Sequence, residues 1–253
     1  VIIRENKVKV EEYMDEFMMK SQDKEYNPEE IIFFDLEHYV YKKPKCIGVF
    51  GACEYDKKKN NILVTQYMIE DRDEATNILY LAKDYFMRMK QKGKKAIITF
   101  SGNNDFTVIN YLFKENGIYY DFDEEFDSID IQKEYEKNKK LSIGLKKLEK
   151  VFDIVREGEV ISGSNLAKTF HKVMKDKNYF KRMPEEKIEK ILLYNEQDVI
   201  NLYYIYVNWK KYMFEENIEP EEFEEELEEE LEEELDDSEE SVEKEDQIDN
   251  DLN

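Results

Sequence analysis

The apolar positions of this chain follow two rhythms. Ile31-Ile32-Phe33-Phe34 is an unbroken apolar run, as a strand buried on both faces requires. Two more strand-like segments follow, residues 45–55 (KCIGVFGACEY) and 61–69 (NILVTQYMI), parted by the polar turn DKKKNN. A short polar turn joins antiparallel neighbours, so the first three strands predict a meander. The rhythm then changes. Ile78, Leu79, Leu81, Ala82, Tyr85, Phe86 and Met89 fall at helical spacing and predict a helix over 73–92, which Gly93 ends. Residues 96–100 (AIITF) predict a fourth buried strand, 106–115 a helix with Val108, Ile109, Leu112 and Phe113 inward, and 128–131 a short fifth strand. Helical stretches at 142–152, 165–175 and 184–214 complete the pattern. Three antiparallel strands followed by strand–helix–strand crossovers predict an α/β domain over 29–214, with a mixed five-stranded sheet flanked by helices.

The two ends depart from this pattern. Residues 1–28 are charged and Met-rich (VEEYMDEFMMKSQDK) and read as an N-terminal helical arm before Pro28. In residues 215–253, Phe223, Leu227, Leu231 and Leu235 recur every four positions among glutamates. That spacing permits a helix while like-charge repulsion opposes it, and beyond Asp236 no apolar pattern remains. The expectation is an acidic tail, disordered or partly helical, that either solubilises the chain or meets a basic partner.

Charge changes the picture only through its distribution. The net charge is -23, but about 23 acidic residues against one lysine lie in the tail, so the first 214 residues are nearly neutral. The low isoelectric point therefore does not exclude a nucleic-acid partner for the body. Lysines cluster at Lys42, Lys43 and Lys45, and from Lys172 to Lys181; each cluster is either a solvated face or a cradle for a phosphate backbone. Cys46 and Cys53 are too few for a disulfide framework or a four-ligand zinc site and read as reduced core residues. Neither a membrane-length apolar run nor a signal-peptide core is present, so a cytoplasmic location without membrane contact is expected.

Four acids and one phenol stand out. Asp35 and Glu37 close the first buried strand, two apart, so both project to one side while Leu36 projects to the other. Two acids side by side repel and resist desolvation, and a divalent cation relieves both costs. Two solvated acids at a strand end are the simpler alternative. Asp105 follows the fourth strand at the start of the next helix, where aspartate is often only a cap. Tyr194 and Asp198 are four apart on the last helix and so share a face. Together the acids suit in-line phosphodiester hydrolysis with two divalent ions, Mg2+ or Mn2+, and Tyr194 suits orienting the water.

FFDLE, SGNNDF and YNEQD resemble, in that order, the three motifs of DEDD nucleases in their tyrosine form. With the segments SIDIQKEY and SIGLKKLEKVFDI, residues 30–213 look like the YprB-like group of predicted ribonuclease H-like exonucleases. The resemblance implies a ribonuclease H-like fold and 3′–5′ exonuclease activity on single-stranded DNA or RNA. It also implies metal binding by Asp35, Glu37, Asp105 and Asp198, and a water positioned by Tyr194. His38 stands where this family commonly has threonine, and the second motif is one residue short. A catalytically inactive module that binds nucleic acid or a protein partner is the alternative.

Overall fold

Ile31–Phe34 becomes the centre of a sheet with helices on both faces. The computed structural model describes residues 1–21, 24–158 and 161–214. In chain order the elements are β1 (Ile2–Lys9), β2 (Ile31–Tyr41), β3 (Lys43–Asp56), β4 (Asn61–Met68), α1 (Asn77–Gln91), β5 (Ala96–Thr99), α2 (Gly102–Glu115), α3 (Phe122–Glu125), β6 (Asp127–Asp130), α4 (Ile131–Lys139), α5 (Leu145–Val151), α6 (Gly163–Lys175) and α7 (Glu185–Phe214). The sheet order is β1-β4-β3-β2-β5-β6. β2, β3 and β4 form the expected meander, and β5 and β6 add in parallel beyond β2. Class and layering are those predicted from the periodicity.

The strand count is six, not five, because the N-terminal segment is not a helical arm. Residues 2–9 pair antiparallel with β4 from Ile2↔Met68 to Lys9↔Asn61, and belong to the compact unit of residues 1–213. No residue of this edge strand is fully buried and only Ile2, Arg4 and Val8 are half-buried, so IIRENKVK carries too weak an alternation to announce a strand. Arg4 and Asn6 fasten this strand to α7, through Glu189 and Glu196. The Met-rich part holds a single short turn at Asp15–Phe17, and Met18 and Met19 are buried. The expectations for residues 215–253 lie outside the described residues.

The two faces of the sheet differ in chemistry. Even-numbered residues of β2 face α1 and α2: Phe34 meets Phe50, Phe86 and Phe106 edge-on or tilted, with ring centroids 5.2–6.0 Å apart. Odd-numbered residues face α7, where Phe33 packs on Tyr203 and Tyr206. Thirty residues give α7 a length of about 45 Å, enough to cross the sheet. Cys46 and Cys53 are buried and unpaired. Among the described residues no helix is long and apolar enough to cross a membrane.

Candidate active site

The β2 alternation that sends Phe33 toward α7 sends Asp35 and Glu37 to the same side, midway along a strand that runs on to Tyr41 and just beyond the last pair with β5, Phe33↔Ile98. Register shifts between Glu37 and His38, where β3 carries Gly48 as an extra residue, so the ladder bulges just after the pair. A bulge there re-aims the side chains that follow, and the ladder resumes past the acids to Tyr41↔Lys43. His38 is consequently part-buried, and desolvation holds its imidazole below the usual range.

Asp35 is fixed from across the sheet. Asp35 pairs in register with Gly51 on β3, and Gly51 with Gln66 on β4. The Asn195 amide of α7 lies over Gly51, where an added Cβ would stand 2.1 Å from Asn195 Oδ1. Only glycine leaves that space. Fully buried Gln66 donates from Nε2 to Asn195 Oδ1 (2.9 Å) and to the Leu192 carbonyl (2.8 Å). Asn195 in turn donates from Nδ2 to Asp35 Oδ2 (3.0 Å). The polar relay Gln66–Asn195–Asp35 therefore sets both the carboxylate and the position of α7 on the sheet.

One turn further along α7, Asp198 is 3% exposed and accepts an ion-paired hydrogen bond from Arg156 Nη2. Arg156 lies in the connection between α5 and α6. Its guanidinium also grips Glu149 of α5 through Nε and Nη2, both at 2.6 Å, and rests over the Tyr194 ring at 5.0 Å. Asn201 Nδ2 completes the hold on Glu149 at 2.8 Å. Tyr194, Asn195, Asp198 and Asn201 thus line one face of α7 at spacings of one, three and three residues.

Asp105 is not a helix cap. α2 starts at Gly102, so Asp105 is its fourth residue and is 5% exposed. Ser101 turns the chain through a left-handed conformation (φ 53°) and donates its N–H to Asp130. A Cβ at Gly102 would meet Thr99 Oγ1 at 1.9 Å, so glycine lets the helix start tight against β5. That start carries Asp105 inward, near enough for its charge to act on Glu37.

Oxygens of Asp35, Glu37 and Asp198 lie within 4.8 Å of one another. Asp105 stands beside this group but is not among the three. Burial raises all four carboxyls above the usual range, and repulsion by neighbouring carboxylates adds to it for Glu37, Asp105 and Asp198; Asp35 reaches about 6, with Asn195 and Arg156 pulling it back down. Among the described residues no donor faces the carboxylates of Glu37 or Asp105. Acid oxygens gathered from β2, α2 and α7, those of Glu37 and Asp105 without donors among the described residues, suit a hard divalent cation with oxygen ligands. Burial and the neighbouring carboxylates push the Tyr194 phenol far up, so it stays protonated and can only donate or accept a hydrogen bond as the neutral group.

Asn195, Gly51, Gln66, Glu149, Asn201 and Arg156 were not singled out by sequence. A glycine inside a buried strand signals close backbone approach, which is what Gly51 provides. Arg156, in a polar connection, carries no such signal. A family model described as RNase_H superfamily matches residues 32–210, a span containing all four acids and Tyr194. Comparison with curated proteins gives no match.

Proposed function

The chain belongs to the ribonuclease H superfamily, and from the acids its domain gathers we propose a metal-dependent 3′–5′ exonuclease of the DEDD class, acting on single-stranded DNA or RNA. The superfamily itself suggests a nucleic-acid hydrolase. The finer reading rests on one observation, the convergence of Asp35, Glu37 and Asp198 oxygens within 4.8 Å between β2 and α7.

In this reading Asp35, Glu37, Asp105 and Asp198 hold divalent ions, Mg2+ or Mn2+, which supply an activated water and stabilise the departing oxygen. Asn195 keeps Asp35 from rotating away, so the ligand oxygens need little reorganisation. Tyr194, protonated and one helical turn before Asp198, orients the water by hydrogen bonding and does not take its proton. The resemblance of the motifs to DEDD exonucleases supports the 3′–5′ direction. A groove of about 500 Å³ between α6 and α7 is lined by Lys168, Lys172, Lys187 and Lys190, and a small recess lined by Lys190, Tyr194 and Arg156 adjoins it. This cation-lined track supports a phosphate backbone approaching Tyr194 along the helices.

Two observations favour the inactive binding module instead: Asp105 stands outside the three-acid group, and an arginine is paired with Asp198. The experiment that separates the readings is cleavage of 3′- and 5′-labelled single-stranded DNA and RNA with Mg2+ or Mn2+. Wild type is run beside Asp35→Ala and Asp198→Ala, with folding checked by circular dichroism. Stepwise nucleotide release from the 3′ end, lost by at least about a thousandfold in both variants, is expected. Binding without cleavage by the wild type would replace the enzyme with the module.

A further inference from the structure

Arg156 occupies an odd position for a surface-loop arginine. It is about nine-tenths buried, it contacts one of the three clustered acids, and it is the cation that lowers the electrostatic burden on Asp35, Glu37 and Asp198 alike. We propose that Arg156 is a positioning residue that serves as the site's resident counter-cation: it holds Asp198 in the metal-free protein and yields it when a divalent ion binds. The inference rests on the metal-site reading above.

Three features of its bonding support exchange over permanent pairing. First, Arg156 does not depend on Asp198 for neutralisation. Nε and Nη2 already grip Glu149 side-on, and Glu149 is 2% exposed and held by Asn201. Releasing Asp198 leaves a complete buried ion pair behind, not a stranded charge. Second, Nη1 is buried and has no hydrogen-bond partner among the described residues, so the guanidinium is not locked on every side. Third, the backbone carrying it is anchored independently: Glu157 N–H donates to Gln197 Oε1 at 2.7 Å, and Gln197 Nε2 donates to the Glu157 carbonyl at 3.0 Å. A small swing of the side chain is therefore sufficient, with the loop still fastened to α7.

The charge argument sets the sign. A divalent ion beside Asp198 and a guanidinium on the same carboxylate repel each other, so the arginine opposes metal entry while it stabilises the empty site. A merely structural arginine would support both. Removing it should then weaken the metal-free fold and tighten metal binding, two effects of opposite direction.

The test is calorimetric titration of the full chain with MnCl2 at fixed pH, comparing wild type with Arg156→Gln, and melting each without metal. Arg156→Gln is expected to bind Mn2+ about tenfold more tightly or better, the scale on which one nearby unit charge moves another ionic equilibrium, while its metal-free Tm falls. Equal or weaker binding would overturn the proposal. A second measurement uses the unaltered protein: in arginine side-chain 15N NMR, Mg2+ saturation should abolish the Asp198-bonded Nη–H signal and keep the Glu149-bonded Nε–H signal. Persistence of both in the Mg2+-saturated chain counts against exchange, whatever the variant does. Wild type that binds neither ion would sink the metal-site reading together with this one; wild type that binds, without tightening in Arg156→Gln, would sink this one alone.

Discussion

The two faces of the central sheet are built on opposite principles. Against α1 and α2, Phe34, Phe50, Phe86 and Phe122 form an aromatic cluster in which Phe86 and Phe122 meet edge-on at 4.9 Å. Against α7, the same strands bury Gln66, Asn195, Asp198 and Glu37, with Asp35 half-buried beside them. Apolar burial is favourable and nearly non-directional, so the first face gains stability without fixing any one atom. Polar burial is costly unless each group finds its partner, so the second face fixes atoms at the expense of stability. The acids sit where position matters, and the aromatics opposite supply the stability which that arrangement gives up.

The comparison can be broken most forcefully on the aromatic side. Phe34→Ala should cost about 3–5 kcal/mol of unfolding free energy, the usual range for deleting a fully buried ring. Measured per folded molecule, Mn2+ affinity should change little, because Phe34 points away from the acids. Denaturant unfolding beside calorimetry checks both halves. A variant that keeps its stability but loses metal binding would show that the two faces are not separable in this way.

A smaller loss of stability and a larger loss of geometry are expected opposite. Asn195→Ala leaves Gln66 Nε2 with one of its two acceptors and frees Asp35, which should cost about 1–3 kcal/mol. If Asp35 is a metal ligand as proposed, Mn2+ affinity and nuclease rate should drop about 10- to 100-fold, the usual cost of losing a residue that orients such a ligand. Gly51→Ala sharpens the point because it keeps every hydrogen-bonding group. Its methyl must displace the Asn195 amide from 2.1 Å, so it should reproduce most of the same functional loss. Full activity in Gly51→Ala would mean that the amide position does not govern Asp35.

The same contrast explains what could be read from the chain alone. The aromatic face announces itself: the helical spacing of Ile78 to Met89 and the run Ile31–Phe34 need no partner to be recognised as buried. The acids were legible because Asp35 and Glu37 break off the apolar run Ile31–Phe34 and Asp198 interrupts an apolar helix. Asn195 and Gln66 were not, since a buried amide has the same letter as an exposed one and its partners come from β4 and α7, 129 residues apart. Arg156 and Glu149 belong to the same class, meeting Asp198 only through the tertiary fold. β1 escaped for a different reason: as a charged edge strand it buries too little to impose a period, and its identity as a strand comes from β4.

The smallest effect expected is also the one that titrates. Burial raises the Asp35 carboxyl from 3.8 to about 6, and Glu37, Asp105 and Asp198 shift the same way. A raised acid pKa means that the folded state holds the proton where the unfolded chain has lost it. The Asp35 contribution to stability is therefore complete below about pH 3.8 and disappears as pH rises through 6. For metal-free protein, Tm should climb as pH is lowered from 7.5 to 5.5, at about 2–4 °C per kcal/mol for a domain of this size. Lower pH also relieves the general negative charge of the chain, so the slope must be compared with that of Asp35→Asn. The variant should have the shallower slope, and Phe34→Ala should keep the wild-type slope at a lower Tm. Saturating Mn2+ should reverse the trend, because protons then compete with the ion for the same oxygens. If Asp35→Asn and wild type show parallel slopes, the charge of Asp35 is not held against its will, and the polar face is less costly than its burial implies.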